Sequence, residues 1–377
     1  MTTATVSVSR IKAEFQEKGL QISPELAEKL ERNYNAPAVS TGRLVVCLPS
    51  PEGNGEVIPV FIVNGTRGAN SPYRIEETDS GKLEVWTDGG KYTDMTLFPR
   101  PRFYDKLTSN GTLMSKVAVV VGPGHLRSVV NQQCHYQQIG QACKFCAVQY
   151  WWNAAPTKQP LQIAEAVEAA VEEGIAKHIS ITTATMNTPD KGLHQLVETA
   201  GLIHERVDIP IMLEFEPVVD LKLFRSMLKR ARDYGVTTVS LNIECFDENL
   251  REEIMPAKGK IPIAVYLENW RVCLDIFGKN EVSTTVVVGI GESDESILKG
   301  VETAAAAGVM TFLVPHSPAA GAEYADFTPP SAERMLHLYE KASEIHRKYG
   351  LDLYACTAGC VKGGGFSGIK DVARFGA

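Results

Sequence analysis

The sequence has 377 residues, of which 44% are hydrophobic and 22% charged, a composition typical of one large globular domain with a smaller unit attached. Lysine and arginine number 38 against 45 aspartates and glutamates, and no basic run is present, so the net charge of −7 disfavours a nucleic-acid partner and a polyanionic substrate. The N-terminus lacks the apolar segment of a signal peptide, and no run of about 18 apolar residues could span a bilayer, which predicts a cytoplasmic protein without a membrane partner.

The first 114 residues mix short helical and strand-like patterns. Ser23 followed by Pro24 is typical of a helix start, and the turn-forming residues 49–56 separate two β-rich runs. The pattern predicts helices over residues 10–20 and 24–34 and strands over residues 44–48, 57–63, 83–86 and 96–98. We therefore expect residues 1–114 to form a small mixed α/β cap domain.

From about residue 115, β-branched runs alternate with helical segments that carry an apolar stripe. The predicted strands are residues 116–122, 126–130, 178–185, 210–215, 237–244, 282–289 and 309–315. The predicted helices are residues 160–174, 190–206, 219–234, 262–278, 294–307 and 331–349. Such alternation indicates an α/β fold with a parallel sheet. We expect residues 115–355 to form a partial (β/α)6 TIM-type barrel, whose chemistry would lie at the C-terminal ends of the strands.

Three cysteines follow the first of the predicted parallel strands. Cys134, Cys143 and Cys146 form a C-x8-C-x2-C pattern, whereas five other cysteines lie outside it. Three ligands leave one position of a metal site open for a molecule that binds and reacts, and iron–sulfur clusters are commonly held by thiolates. The pattern favours an iron–sulfur cluster with an open iron, and a zinc site completed by His135 is the alternative. We expect Cys47, Cys245 and Cys273 to be buried thiols, because their surroundings are apolar.

The aromatic Phe145 between the last two cysteines, with the order of strands and helices, resembles the radical SAM superfamily in the branch near biotin synthase and lipoyl synthase. The resemblance implies a [4Fe-4S] cluster on the three cysteines and S-adenosylmethionine (SAM) as cofactors. It also implies reductive cleavage of SAM to a 5'-deoxyadenosyl radical, which abstracts hydrogen from a small-molecule substrate. A low-potential electron donor such as flavodoxin or ferredoxin would be the partner.

The resemblance also assigns SAM contacts to the strand ends. Phe145 would lie near the adenine, and Thr182, Thr183 and Thr185 take the place of a glycine- and glutamate-containing turn that holds the methionyl amino group in the family. Two further sets of residues match cofactor-binding positions of the family, namely Asn242 with Glu244 for the ribose hydroxyls and Gly289 with Gly291 for the adenine. For Glu244 an ordinary salt bridge is the alternative, and the glycines also fit a simple turn between a strand and a helix.

More closely, residues 101–105, 182–192, 215–217 and 312–321 resemble the radical SAM family that is encoded beside nitrilases in bacterial gene clusters. This resemblance does not name a substrate, and our first hypothesis is a metabolite the size of an amino acid or a nitrile-derived compound. A tetrapyrrole-type ring, altered by oxidation or modification of a methyl group, is the second candidate. Four residues near the predicted barrel mouth are candidates for substrate contact, namely Glu214, Glu216, Trp151 and His316.

The last 22 residues, 356–377, are rich in glycine and contain Cys356 and Cys360. We expect a flexible tail over the barrel mouth, in which the two thiols form a redox pair, serve as auxiliary ligands, or remain idle. Two functions from other classes remain open at this point. One is a non-catalytic iron–sulfur scaffold or electron carrier, and the other is a zinc-dependent hydrolase or lyase on the same barrel.

Overall fold

The computed structural model describes residues 6–34, 43–64, 67–150 and 155–377. Its N-terminal part contains α1 (Val8–Lys18), α2 (Pro24–Asn33), β1 (Arg43–Pro49), β2 (Val57–Val63), β3 (Arg74–Glu77), β4 (Leu83–Thr87) and β5 (Gly90–Met95). Strands β1 and β2 pair antiparallel, and β3, β4 and β5 form a second antiparallel sheet. Helix α2 begins as predicted, because the Ser23 hydroxyl accepts a hydrogen bond from the Leu26 amide and Pro24 follows at once. These elements share an apolar core of their own.

A seven-stranded sheet forms the centre of the molecule. Its strands are β6 (Ala118–Gly122), β7 (His125–Val129), β8 (His178–Thr182), β9 (Ile211–Glu214), β10 (Val236–Ser240), β11 (Val282–Val288) and β12 (Met310–Pro315). They lie in the spatial order β12-β11-β10-β9-β8-β7-β6, with β7 to β12 parallel and β6 antiparallel to β7 at the edge. Because the strand order follows the chain order, each connection between the parallel strands β7 to β12 is a simple β-to-α-to-β crossover.

Helices connect these strands and follow the last one. They are α3 (His135–Gln138), α4 (Pro160–Glu172), α5 (Leu193–His204), α6 (Leu221–Asp233), α7 (Glu248–Ile254), α8 (Ile263–Phe277), α9 (Asp294–Ala306) and α10 (Ala332–Lys348). Side chains of Asp220, Ser293 and Ser331 cap three of them. The sheet and helices enclose the larger core. The predicted α/β fold, a partial barrel of TIM type, is confirmed. Within the described ranges, no helix has the length and apolar character needed to cross a bilayer.

Two local predictions are wrong. The strand expected at residues 96–98 is absent, because strand β5 ends at Met95 and Thr96 makes only an isolated bridge to Cys47. Helix α7 was not predicted, because its seven residues lie within a long connection and are too few for an apolar period to be recognised. The buried state expected for Cys47, Cys245 and Cys273 is confirmed.

The C-terminal segment, residues 356–377, is packed and does not form the flexible tail that its glycines suggested. It contains α11 (Gly359–Gly363) and α12 (Ile369–Phe375), most of whose residues are buried. Gly359 has φ +80°, and a Cβ there would lie 1.6 Å from the Met212 sulfur in strand β9. Glycine is therefore needed for close packing and for a left-handed backbone, which explains why a glycine-rich stretch is rigid here.

The cap elements and the C-terminal segment together close the open side of the curved sheet. The Phe61 amide in β2 donates a hydrogen bond to the Gly365 carbonyl (2.9 Å), and the rings of Phe61 and Phe366 lie 4.5 Å apart. The Lys12 ammonium in α1 donates to Asp371 (2.7 Å), and both side chains are almost fully buried. These contacts enclose a cavity between the sheet, the cap and the C-terminal segment.

Candidate active site in the barrel cavity

A cavity of about 440 Å³ lies at the C-terminal ends of the parallel strands. Every part of the chain contributes to its wall. The lining includes Cys134, Cys143 and Cys146 from the loop after β7, the strand-end residues Thr182 to Thr185, Glu214, Glu216, Asn242, Glu244 and Thr285, the cap residues Gln16, Phe61 and Val63, and Cys360 and Phe366 of the C-terminal segment. This position is the one in which barrel enzymes place their chemistry.

The loop that carries the three cysteines, residues 131–150, is fixed to the barrel by backbone hydrogen bonds. The His135 amide donates to the Thr185 carbonyl (2.8 Å), and the Lys144 amide donates to the Ile254 carbonyl (2.9 Å). The Cys146 amide donates to the Cys143 carbonyl (3.0 Å), which forms a tight turn between the last two cysteines. The three thiols are partly buried, and all three line the cavity, so the eight-residue gap in the sequence does not separate them in space.

Burial raises the pKa of the Cys143 thiol well above its ordinary value and raises that of Cys146 to about 11. Buried thiols of this kind release their protons when a metal binds and gain its charge in exchange. Within the described residues, no group of three or more histidine, cysteine or acidic side chains is compact enough to hold a single metal ion. His135 is not among the residues that line the described cavity wall.

A polar network lies beside the cysteine loop. The Thr185 hydroxyl donates to one carboxylate oxygen of Glu216 (2.8 Å), and the Tyr136 hydroxyl donates to the other (3.0 Å). Thr182 and Thr183 also line the cavity, and the Thr182 hydroxyl lies 3.4 Å from the Glu214 carbonyl, which accepts its hydrogen. The turn thus presents hydroxyl and carbonyl groups where the sequence lacks the family's glycines.

The end of β10 contributes a second polar group. Glu244 has φ +68°, a conformation that non-glycine residues rarely adopt, and its carboxylate accepts from the Lys258 ammonium (2.9 Å). Burial opposes the charge of Lys258, but Glu244 more than offsets this and the pKa of the lysine lies above its usual value. Asn242 lines the same wall, and its side-chain oxygen accepts from the Ser240 hydroxyl (2.7 Å). The salt-bridge alternative for Glu244 is therefore observed, although the pair still borders the cavity.

Comparison with known proteins finds a matching family for the central part of the chain. The sequence profile described as the Radical SAM superfamily matches residues 134–304, a range that begins at the first cysteine of the loop and ends in α9. This range therefore carries a radical SAM region. Enzymes of that superfamily use a [4Fe-4S] cluster and SAM. The narrower resemblance to the biotin synthase branch and the nitrilase-associated family stays a prediction.

Among curated proteins, the chain is 21% identical over 259 residues to a bacteriochlorophyllide c C-7(1)-hydroxylase of Chlorobaculum limnaeum, over 64% of each chain. The alignment thus spans less than two thirds of that relative. Two solved structures are similar. Methylornithine synthase is 13% identical and covers 59% of this chain and 62% of that chain, with a TM-score of 0.45. HydG, a maturase of the [FeFe]-hydrogenase, is 14% identical and covers 60% of this chain and 51% of that chain, with a TM-score of 0.47. A radical SAM methyltransferase, TsrM from Kitasatospora setae, is 13% identical over 68% of this chain and 53% of that one, with a TM-score of 0.40.

The residues of the matched region fit the cofactors of that superfamily. Three cysteine thiols are the ligand type of iron–sulfur clusters, and they border a cavity that also presents the hydroxyls and carboxylates described above. Phe145, predicted to lie near the adenine, borders the cavity and packs with Cys143 against a separate small core. Cys134, Cys143 and Cys146 would hold the cluster, which would supply the chemistry that cleaves SAM.

Other predicted residues are placed differently. Gly289 and Gly291 are not among the residues that line the described cavity, and a Cβ at Gly289 would contact the Pro330 ring at 2.8 Å. Their positive φ angles of 99° and 115° fit the simple turn between a strand and a helix, and their contact with the adenine stays a prediction. His316 borders the cavity, but its Nε2 donates to the Tyr324 carbonyl, and burial lowers its pKa. Trp151 lies outside the described residues.

Among the residues of the cavity wall that were not predicted from the sequence are Arg127, Tyr136, Lys258 and Gln16. Tyr136 lies two residues after Cys134. Arg127 lies in β7, and the alternation of side chains along that strand could have placed it inside the barrel. No local signal distinguishes the buried Lys258 from the neighbouring Lys260. Gln16 belongs to the cap helix α1, and only the tertiary structure brings it to the cavity.

Proposed function

We propose that Cys134, Cys143 and Cys146 hold the [4Fe-4S] cluster and that the enzyme removes a hydrogen atom from a small molecule bound in the barrel cavity. The observation that supports this most is that all three cysteines of the C-x8-C-x2-C pattern border one cavity together with the strand-end residues of the matched region. When bound, the cluster and SAM supply a 5'-deoxyadenosyl radical, which accounts for the hydrogen abstraction.

The chain's own groups would position SAM and keep water away. The hydroxyl groups of the turn from Thr182 to Thr185, with Glu216 and Tyr136, form one fixed set of hydrogen-bonding groups, and Asn242 with Glu244 and Lys258 forms another. Both sets are held by partners on other elements, so little reorganisation is needed when an amino-acid group or a ribose binds. Residues of the cap strand β2 and of the C-terminal segment border the cavity, and a wall on this side would help to keep water away from a radical.

We propose a substrate the size of an amino acid or a nitrile-derived metabolite. Ligand pockets of about 300–1,000 Å³ hold one drug-sized molecule, and the cavity of about 440 Å³ must hold SAM as well. The remaining wall is mainly apolar, with Val119, Phe312 and Phe61 among its residues, while Arg127 and Glu214 provide one charged pair. A compact molecule with an apolar body and one or two polar groups suits such a wall.

A tetrapyrrole-type ring is the second candidate, because the curated relative is named as a bacteriochlorophyllide hydroxylase. A macrocycle together with SAM would need more space than about 440 Å³, so part of the ring would have to lie outside the cavity. As an electron donor we propose flavodoxin or ferredoxin, since reductive SAM cleavage requires a low-potential electron. Both substrate classes predict the same first product from SAM.

The test of this function is anaerobic reconstitution with iron and sulfide, addition of dithionite and SAM, and detection of 5'-deoxyadenosine by mass spectrometry. We expect the Cys143→Ala variant to lose bound iron and to form no 5'-deoxyadenosine. The matched control is Cys273→Ala, which removes a thiol of helix α8 that is buried in the core. This variant should bind iron and form 5'-deoxyadenosine as the wild type does. Wild-type iron content and product in Cys143→Ala would refute the ligand assignment.

A further inference from the structure

A buried polar triad lies at the end of the cavity that the C-terminal segment closes. Arg127 in β7 donates from Nη1 to the Cys360 sulfur (3.0 Å) and from Nη2 to Glu214 Oε2 (2.8 Å). The Cys360 thiol donates to Glu214 Oε1 (3.3 Å), which completes the triad. All three residues border the cavity, and all three side chains are almost fully enclosed. The thiol is thus placed in the same chamber as the three cysteines of the loop.

The backbone is shaped to bring Cys360 into the barrel. The preceding Gly359 lies so close to Met212 that no side chain would fit, and its amide donates to His178 Nδ1 (3.1 Å) at the start of β8. The neighbouring Cys356 is oriented differently: it does not border the described cavity, and its thiol lies 3.3 Å from the Ala358 carbonyl. The two cysteines are therefore not equivalent, and Cys360 alone of the two faces the chamber.

We propose that Cys360 is a hydrogen-atom donor to carbon radicals formed in the barrel cavity. The proposal rests on the proposed function, because it requires that carbon radicals arise there. In the transfer the S–H bond of Cys360 breaks and a C–H bond forms on the radical carbon, which leaves a thiyl radical on the sulfur. One electron from the low-potential donor and one proton from solvent then restore the thiol.

The surroundings of Cys360 suit both halves of this cycle. Burial and the neighbouring Glu214 raise the pKa of the thiol, so that the S–H bond is intact at neutral pH. Arg127 donates a hydrogen bond to the sulfur, and this contact favours the negative charge that appears when a thiyl radical accepts an electron. A serine in this position would keep both hydrogen bonds, but its O–H bond is much stronger than an S–H bond and would not yield a hydrogen atom.

The test needs no knowledge of the substrate. Reconstituted wild-type enzyme is incubated anaerobically in D2O with dithionite and SAM alone, and the isotope content of the 5'-deoxyadenosine is measured. The Cys360 thiol exchanges its hydrogen for deuterium, so we expect wild-type product to carry deuterium. Cys360→Ser should still form 5'-deoxyadenosine but lose most of the deuterium, and Cys360→Ala should do the same. Cys356→Ser is the matched control and should give the wild-type isotope pattern.

The outcomes separate the two proposals. Wild-type product without deuterium would overturn the role of Cys360 and leave the proposed function intact, whereas no product from wild type would overturn both. Deuterium retained in Cys360→Ser would assign the donor to another group, with the Tyr136 hydroxyl the next to examine. A second readout uses cluster-free protein and iodoacetamide with peptide mass spectrometry. Iodoacetamide reacts with the thiolate, so Glu214→Gln, which removes the carboxylate that helps to raise the pKa of Cys360, should speed the alkylation of Cys360 but not that of Cys356. An unchanged rate at Cys360 would overturn its place in the triad.

Discussion

The buried ion pair between Lys12 and Asp371 offers the sharpest test of how the cavity is closed. The Lys12 ammonium contacts a carboxylate oxygen of Asp371 at 2.7 Å and the Gly364 carbonyl at 2.6 Å, and the lysine side chain is fully buried. Lys12→Met keeps the length and apolar contacts of the side chain, but it leaves the Asp371 carboxylate without its partner. Loss of one partner of a buried pair costs about 3–5 kcal/mol.

Because 1.4 kcal/mol is a factor of ten, this loss corresponds to roughly 100-fold to 4,000-fold more frequent opening of the contact between helix α1 and the C-terminal segment. Hydrogen exchange of the amides in residues 359–372 measures that opening directly, and urea denaturation measures the free energy of unfolding. Lys29→Met is the control, since the Lys29–Glu77 pair is at the surface and is worth at most about 1 kcal/mol.

Adding Asp371→Leu to Lys12→Met should restore most of the protection, since replacing both partners of a buried pair by apolar residues is often neutral. A Lys12→Met variant as stable and as protected as Lys29→Met would refute the reasoning, because it would mean that water reaches Asp371 without opening the cap. A double variant no better than the single one would assign the loss to packing and not to the unpaired charge.

Two further changes test packing and pH dependence. Gly359→Ala should lower the melting temperature much more than Gly140→Ala does. Both glycines adopt a positive φ, and an alanine in that conformation costs about 1–2 kcal/mol at either position. Only at Gly359 would the new methyl group also collide with Met212. Burial lowers the pKa of His346 to about 4, and its Nε2 accepts from the Thr311 amide, so protonation disfavours the folded state. The contribution of His346 to the free energy of unfolding should be constant above pH 6.5 and should fall by up to about 3 kcal/mol between pH 6.5 and 4. Urea denaturation of the His346→Asn variant at a series of pH values should not show this fall.

The barrel was predictable because its signals are local. Strands β7 to β12 and helices α4 to α6 and α8 to α10 each carry their own period of apolar residues, and helix caps such as Asp220 and Ser331 mark where the helices start. The cysteine spacing also identified the loop that borders the cavity. By contrast, α7 and the missing strand at residues 96–98 are short segments whose conformation depends on neighbours that are distant in sequence.

Residues of the candidate site were predictable only where they belong to a motif or follow a recognisable strand. Cys134, Thr182 and Glu244 could be named, because each follows a recognisable strand or belongs to a motif. The partners that define their environment come from elsewhere: Lys258 from the connection after α7 and Tyr136 from α3. A motif gives the residue type and its order in the chain, whereas charge compensation and burial depend on which distant elements pack against it.

The superfamily profile does not cover all the residues that line the cavity. Residues 134–304 contain the three cysteines and the strand-end hydroxyls and carboxylates that would meet the cofactors. The opposite wall is built by Phe61 and Val63 of the cap and by Cys360 and Phe366 of the C-terminal segment, all outside that range. Relatives that share only the matched region therefore inform the cofactor chemistry. We expect substrate selection to depend on the cap and the C-terminal segment, because their residues border the cavity and lie outside the matched region.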